Sequence, residues 1–196
     1  MSEVQLHLAS ASPRRREILT ALGITFSHGG VDIDESRHAG ESVDDMVLRL
    51  AREKARAVQP RQCQDLPILA ADTIVVLDER VFGKPAAKAD ALMTLAALSG
   101  RSHRVLTAVA LLHAERIEVA MSATEVRFRD IGPDEAQAYW HSGEPAGKAG
   151  AYAVQGKGGI FVESLAGSYS GVVGLPVFET AQLLRQAGID VLGTMN

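Results

Sequence analysis

The sequence contains a single cysteine, Cys63, among 196 residues. One thiol excludes an internal disulfide, and without a cysteine cluster there is no framework for a structural zinc. No apolar run approaches the length of a membrane helix; Val105 to Leu112 is typical of the longest. The opening residues Met1-Ser-Glu-Val-Gln-Leu-His lack the basic and apolar blocks of a secretory leader. Excess positive charge is missing as well: 20 Lys+Arg stand against 24 Asp+Glu, a net −4. That balance argues against nonspecific nucleic-acid coating, although it permits a local basic site. Gly-x-x-x-x-Gly-Lys-[Ser/Thr] and Gly-x-Ser-x-Gly do not occur, Gly156 to Gly159 fails the dinucleotide fingerprint, and the histidines show no metal-ligand pairing. These absences leave a soluble protein of a reducing compartment, with no membrane partner and no stable nucleic-acid binding expected.

What is present is globular: 46% hydrophobic and 22% charged residues, enough to build a core. The pattern predicts a strand over Val4, Leu6 and Leu8, and a helix after Ser12-Pro13 that stops at Gly23. A short strand is expected at Ile24–Ser27, and a polar, acidic loop from Gly29 to Gly40. Ser42 with Asp45 resembles a capping box at the head of a helix whose Val43, Met46, Val47, Leu50, Ala51, Ala55 and Val58 recur at helical spacing. Pro60 to Pro67 reads as a connection. Ile68 to Leu77 is a nearly continuous apolar run, the mark of a strand covered on both faces. Asp78-Glu79 turns the chain and Val81-Phe82 extends it briefly. A helix at Asp90–Ser99, a long hairpin around His113-Ala114-Glu115, and helices at Pro133–Ser142 and Pro176–Ala187 follow. Ala151–Val154 and Ile160–Glu163 look strand-like. There is no repeat and no separating linker. The expectation is one α/β domain over residues 1–196, a mixed twisted sheet flanked by helices.

Several constellations can carry chemistry. Ser10-Ala-Ser12-Pro13-Arg14-Arg15 lies between a strand and a helix, where hydroxyls, free N–H groups and guanidinium forks suit phosphate. The same spacing also fits a capped surface helix with solvated arginines. Asp72, followed by Thr73, interrupts the most apolar strand, and a carboxylate there is costly to bury unless it is paired or opens onto a cleft. At an opening it can bind a divalent cation or take a proton from water. Lys54 shares a helix face with Val47 and Leu50, from which its stem can snorkel. Lys84 is held between Gly83 and Pro85. Asp32, Asp34 and Glu35 offer hard oxygen ligands without the spacing of a calcium loop. In Gly150-Ala-Tyr152-Ala-Val-Gln155-Gly156, the glutamine amide presents both a donor and an acceptor, matching a nucleobase edge. It fits equally an exposed turn.

In order along the chain, Leu8-Ala-Ser-Ala-Ser-Pro-Arg-Arg-Arg-Glu-Ile-Leu, Arg49-Leu-Ala-Arg-Glu-Lys-Ala, Leu69-Ala-Ala-Asp-Thr-Ile-Val-Val and Gly83-Lys-Pro are followed by Leu98-Ser-Gly-Arg-Ser-His-Arg-Val-Leu-Thr-Ala-Val, Lys148-Ala-Gly-Ala-Tyr-Ala-Val-Gln-Gly and Val173-Gly-Leu-Pro. This ordered set resembles the Maf family of nucleoside triphosphate pyrophosphatases. The resemblance implies a fold like that of inosine triphosphate pyrophosphatases, with two lobes around a nucleotide cleft. It implies a cytoplasmic homodimer that uses Mg²⁺ or Mn²⁺ and splits a nucleoside triphosphate into monophosphate and pyrophosphate. Ala-Asp-Thr with Tyr-x-x-Gln-Gly resembles the branch acting on dTTP and UTP. Carried over by position, Asp72 matches the catalytic base. Lys54 and Lys84, with Ser10 and Arg15, match the cluster around the phosphates. Arg14, Thr73 and Gln155 match the selectivity positions, and Glu35 matches a carboxylate near the metal, which Asp72 also faces.

Other readings of the same residues are an enzyme for modified or other nucleotides, a nucleotide-binding regulator of cell division and septum formation, and a phosphatase that removes only the γ-phosphate. For a pyrophosphatase acting on dTTP and UTP, housecleaning of the nucleotide pool is the expected role.

Overall fold

The structure, a computed structural model, describes residues 3–58 and 66–193. Cys63 and most of the Pro60–Pro67 connection lie outside the described residues. The strands are β1 (Leu6–Ala9), β2 (Phe26–Gly29), β3 (Ile68–Leu77), β4 (Arg80–Phe82), β5 (Ser102–His113), β6 (Arg116–Phe128) and β7 (Val162–Ala166). The helices are α1 (Pro13–Ala21), α2 (Val43–Arg56), α3 (Lys88–Leu98), α4 (Pro133–His141), α5 (Tyr169–Val173) and α6 (Val177–Gln186). Strand order is β2-β1-β3-β5-β6-β7, with β4 paired to β3. Parallel pairs (β1 with β2 and β3) and antiparallel pairs (β3 with β4, β6 with β7) make the sheet mixed, as expected.

The chain divides into two compact units. The first takes the described residues of 1–72, 107–122 and 174–196, the second those of 73–106 and 123–173. In the first unit, the alternation of Leu6 and Leu8 on β1 with Leu69 and Ala71 on β3 sends apolar side chains into a core. Leu19 of α1 and Leu183 and Leu184 of α6 close it. Helix α1 begins at Ser12 with Pro13 in its first turn, where a missing N–H costs nothing. It ends before Gly23, whose φ of +73° only glycine adopts readily. In α2 the Ser42 hydroxyl accepts from the Asp45 N–H at 3.0 Å and donates to the Asp45 carboxylate at 2.7 Å, a variant of the expected capping box.

In the second unit, Leu77 pairs with Arg80, leaving Asp78 and Glu79 as a two-residue turn with φ of 49° and 61°. Ala114 and Glu115, which join β5 to β6 in the first unit, repeat that conformation at 47° and 65°. Both are primed-type hairpin turns made without glycine, because the twist of the flanking strands demands positive φ. The strand expected at Ala151–Val154 is instead a 3-10 turn at Ala149–Ala151 followed by an irregular segment. Gly150 and Ala151 both take positive φ, which ends any extended run, and a side chain at Gly150 would strike Val75. The Ile160–Glu163 segment is divided between a 3-10 turn at Lys157–Phe161 and β7. Helix α5 was not foreseen; five residues carry too little periodicity to register.

The second core assembles β3, α3 and α4 around an aromatic group. His103, 2% exposed, stands edge-on to Phe128 and Tyr152, and its Nε2 pairs with the Tyr152 hydroxyl at 2.9 Å. Burial lowers its pKa to about 4. The unfolded chain therefore binds a proton at His103 below about pH 6.5 that the folded chain refuses until about pH 4. Stability from this group is complete above that window and is lost as pH falls through it, by an amount on the order of 3 kcal/mol. Urea denaturation between pH 7 and 4 checks this: His103→Gln should flatten the wild-type fall in stability, and an unchanged slope would contradict the assignment.

Candidate active site

Parallel strands leave their carboxyl ends free to face a ligand. Leu8 of β1 aligns with Leu69 of β3 in the first unit, and β1 stops at Ala9. Ser10 and the start of α1 follow at once, while β3 continues past that end to Asp72. Asp72 is 6% exposed, and of the conditions that make a carboxylate tolerable in an apolar strand it meets the paired one.

Its burial is compensated. Helix α2 buries Val43, Met46, Val47, Leu50, Ala51, Lys54 and Ala55, the i, i+3, i+4, i+7 face of an amphipathic helix. Lys54 falls on this face, and its ammonium reaches Asp72 Oδ1 at 2.5 Å. The expected snorkelling to water is therefore replaced by a buried ion pair, with Lys54 9% exposed. A second carboxylate, Glu35 Oε1, meets the same ammonium at 2.6 Å and is about half exposed. The loop bearing Glu35 is pinned from α2. The Arg49 guanidinium forks onto both Glu41 oxygens, at 2.6 and 2.9 Å, and donates to the Ser36 carbonyl at 2.9 Å and to Glu53 at 3.0 Å. The side-chain hydrogen bond from Arg49 holds the Glu41 pKa at about 2. Arg49 lies in the Arg49-Leu-Ala-Arg-Glu-Lys-Ala stretch, and the one local sign of its role in the sequence is the i, i+4 spacing to Glu53.

A second polar group is built at the start of α1. Arg15 donates through Nη1 to Ser10 Oγ at 3.2 Å and through Nε to the Gly174 carbonyl at 2.7 Å. Ser10 is buried, and its hydroxyl also accepts from the Ser12 N–H at 3.2 Å. Ser12 holds the N-cap position without a side-chain cap bond. Burial lowers the pKa of the Arg15 guanidinium against the pull of Asp72; Arg14 adds to the lowering and Glu35 opposes it. Arg15 remains a cation, as guanidinium groups in proteins do.

Ser10, Arg14, Arg15, Glu35, Lys54 and Asp72 thus belong to the first unit. Thr73, half-buried on β3, exposed Lys84 after β4, and exposed Gln155 in the turn after Tyr152 belong to the second. Among the described residues no group of three or more His, Cys, Asp or Glu side chains forms a metal cage. The donor set nevertheless suits a hard cation: two carboxylates converge on one ammonium, and Mg²⁺ characteristically takes one or two carboxylates together with substrate phosphate oxygens.

The sequence model of the family described as "Maf-like protein" matches residues 5–187. The chain belongs to the Maf family. A "dTTP/UTP pyrophosphatase" of Bordetella parapertussis is 54% identical over 195 residues, covering 95% of this chain and 94% of that protein. A protein of the same name from Methylococcus capsulatus is 50% identical over 187 residues, covering 95% and 93%. The Mycobacterium abscessus "Nucleoside-triphosphatase / dITP/XTP pyrophosphatase" is a slighter structural likeness, with 18% identity, a TM-score of 0.40, and coverage of 71% of this chain and 95% of that one. Among the candidate residues of the first unit, Arg15 bonds to Ser10, and Lys54 pairs with Asp72 and Glu35.

Removing one partner from a buried ion pair strands the other. Lys54→Met should therefore destabilise the protein by roughly 3–5 kcal/mol. Adding Asp72→Leu should recover part of that loss, because a pair of apolar groups needs no compensation. Chemical denaturation of the two variants checks this; a Lys54→Met protein as stable as wild type would contradict the pair.

Proposed function

We propose that this chain is a nucleoside triphosphate pyrophosphatase that hydrolyses dTTP and UTP to the monophosphate and pyrophosphate. The observation that carries the reading is the buried Asp72–Lys54 pair beside the Ser10–Arg15 anion site, within a chain about half identical to proteins named for that activity.

Asp72 is the base. Its Oδ1 accepts from Lys54, and the carboxylate takes a proton from water. The water oxygen forms a bond to the α-phosphorus, the bond from that phosphorus to the bridging oxygen breaks, and pyrophosphate leaves with the electron pair. Lys54 directs two protons at Asp72 and Glu35, and an ammonium has a third for a phosphate oxygen. Arg14, Arg15 and Lys84 absorb charge on the departing oxygens, and Ser10 orients Arg15 for it. Glu35 and Asp72 would hold Mg²⁺ or Mn²⁺, which when bound supplies Lewis-acid polarisation of the phosphoryl oxygens. Thr73 and Gln155 read the pyrimidine edge: uracil and thymine offer carbonyl acceptors and one N3–H, which a hydroxyl and an amide satisfy. A site built to pair such groups rejects bases that leave them unpaired. The family resemblance further supports a cytoplasmic homodimer serving nucleotide-pool housecleaning.

Incubation with a panel of triphosphates and Mg²⁺, with products separated by chromatography, tests the reaction. UTP and dTTP should yield monophosphate and pyrophosphate ahead of ATP, GTP and CTP. Diphosphate with orthophosphate would indicate a γ-phosphatase, tight binding without turnover a regulator, and a preference for other or modified bases a different substrate branch.

A positioned base contributes roughly 10²–10⁴-fold. Asp72→Asn should reduce kcat by at least that much while the near-UV dichroism of the fold survives. Near-wild-type turnover in this variant would remove Asp72 from the mechanism.

A further inference from the structure

The turn that carries Gln155 is held by a carboxylate that no motif announces. Glu144 follows α4 in the second unit. Its Oε1 accepts from the Tyr139 hydroxyl at 2.7 Å and from the Gly158 N–H at 2.9 Å, and its Oε2 accepts from the Lys157 N–H at 2.9 Å. The Tyr139 oxygen, on a side chain 4% exposed, accepts in turn from the Ala153 N–H at 3.1 Å. One relay of hydrogen bonds therefore grips the backbone at residues 153, 157 and 158, on both sides of Gln155.

The fit is close. A side chain at Gly156 would collide with the Glu144 carboxylate, and one at Gly158 with the Tyr139 hydroxyl. The glycines are therefore where carboxylate and phenol fill the space a Cβ would need. Upstream, Tyr152 is anchored through its hydroxyl to His103 inside the aromatic core, so the segment leaves from a fixed point. Bonds from neutral N–H and O–H groups to a carboxylate are charge-assisted and stronger than neutral ones. Burial works to raise the Glu144 pKa, yet the bonds from Tyr139, Gly158 and Lys157 and the charge of Lys148 hold it below its ordinary value.

An amide discriminates between base edges only where its backbone is fixed, since a loosely held glutamine swings to suit either edge. We propose that Glu144, acting with Tyr139, is a specificity-setting positioning residue that fixes the turn presenting the Gln155 amide to the pyrimidine. This rests on the reading of Gln155 given above. Glu144 touches the turn, not the reacting atoms.

The test compares Glu144→Gln, Tyr139→Phe and Gln155→Ala for kcat and KM with UTP and CTP, and follows hydrogen exchange at the Lys157 and Gly158 amides. A glutamine at 144 turns an amide donor toward groups that themselves donate. Glu144→Gln should speed exchange at both amides and lower the UTP-over-CTP ratio of kcat/KM about tenfold, through KM, with kcat nearly kept. Tyr139→Phe, which deletes one bond, should shift both readouts the same way by less, and it carries the test if Glu144→Gln fails to fold. If Gln155→Ala flattens the ratio while the variants at 144 and 139 keep it despite faster exchange, the inference is overturned and the Gln155 reading stands. If Gln155→Ala itself leaves the ratio unchanged, both fall.

Discussion

The ion pair between Lys54 and Asp72 is the constraint from which the rest of the site follows. An aspartate inside the most apolar strand of the protein is tolerable only with a cation brought to it. That cation comes from the core face of α2, at a position where helical periodicity calls for an apolar residue. Pairs of this kind seldom stabilise a fold more than apolar side chains of the same size would. Their retention in a core points to use, and the surroundings of this pair agree: a second carboxylate, Glu35, shares the ammonium and is kept in reach by a loop clamped through Arg49.

A triphosphate carries more negative charge than any other part of a nucleotide, whereas this chain is itself acidic overall. The proposed reaction needs cations gathered locally, and the first unit has them. Arg14 and Arg15 stand in the first turn of α1, and Arg15 is held by a buried serine and a backbone carbonyl that fix its planar fork. Fixed donors of this sort stabilise developing charge without reorganising at the moment of reaction. The first unit therefore gathers carboxylates around Lys54 and guanidinium groups at the start of α1.

Much of this was legible in the residues. The apolar run from Ile68 marked β3 to its ends, its length and β-branched residues favouring a strand covered on both faces. The helical spacing after Ser42 marked α2, the Asp78-Glu79 turn falls between its strands, and the turn expected at His113-Ala114-Glu115 narrows to Ala114-Glu115. Asp72 stood out as a charge where none should be. What the residues did not disclose is long-range or irregular. The ending of Lys54 on Asp72 depends on how α2 lies against β3, which spacing along one helix does not encode. The segment at 151–154 has the composition of a strand, and only the positive φ at Gly150 and Ala151 breaks it. Arg49 and Glu144 read as ordinary surface charges until their several partners are seen together. The substrate assignments of Thr73, Lys84 and Gln155 came from the ordered motifs, since each alone suits an unremarkable position.

The most direct measurement of the central claim is a crystal structure with a UTP analogue whose α,β-bridging oxygen is replaced by NH. The account predicts the α-phosphorus beside Asp72, with the Lys54 ammonium on its oxygens and the Arg15 fork on the phosphates beyond. Phosphates bound on another surface, with the Lys54–Asp72 pair undisturbed and remote from them, would contradict it.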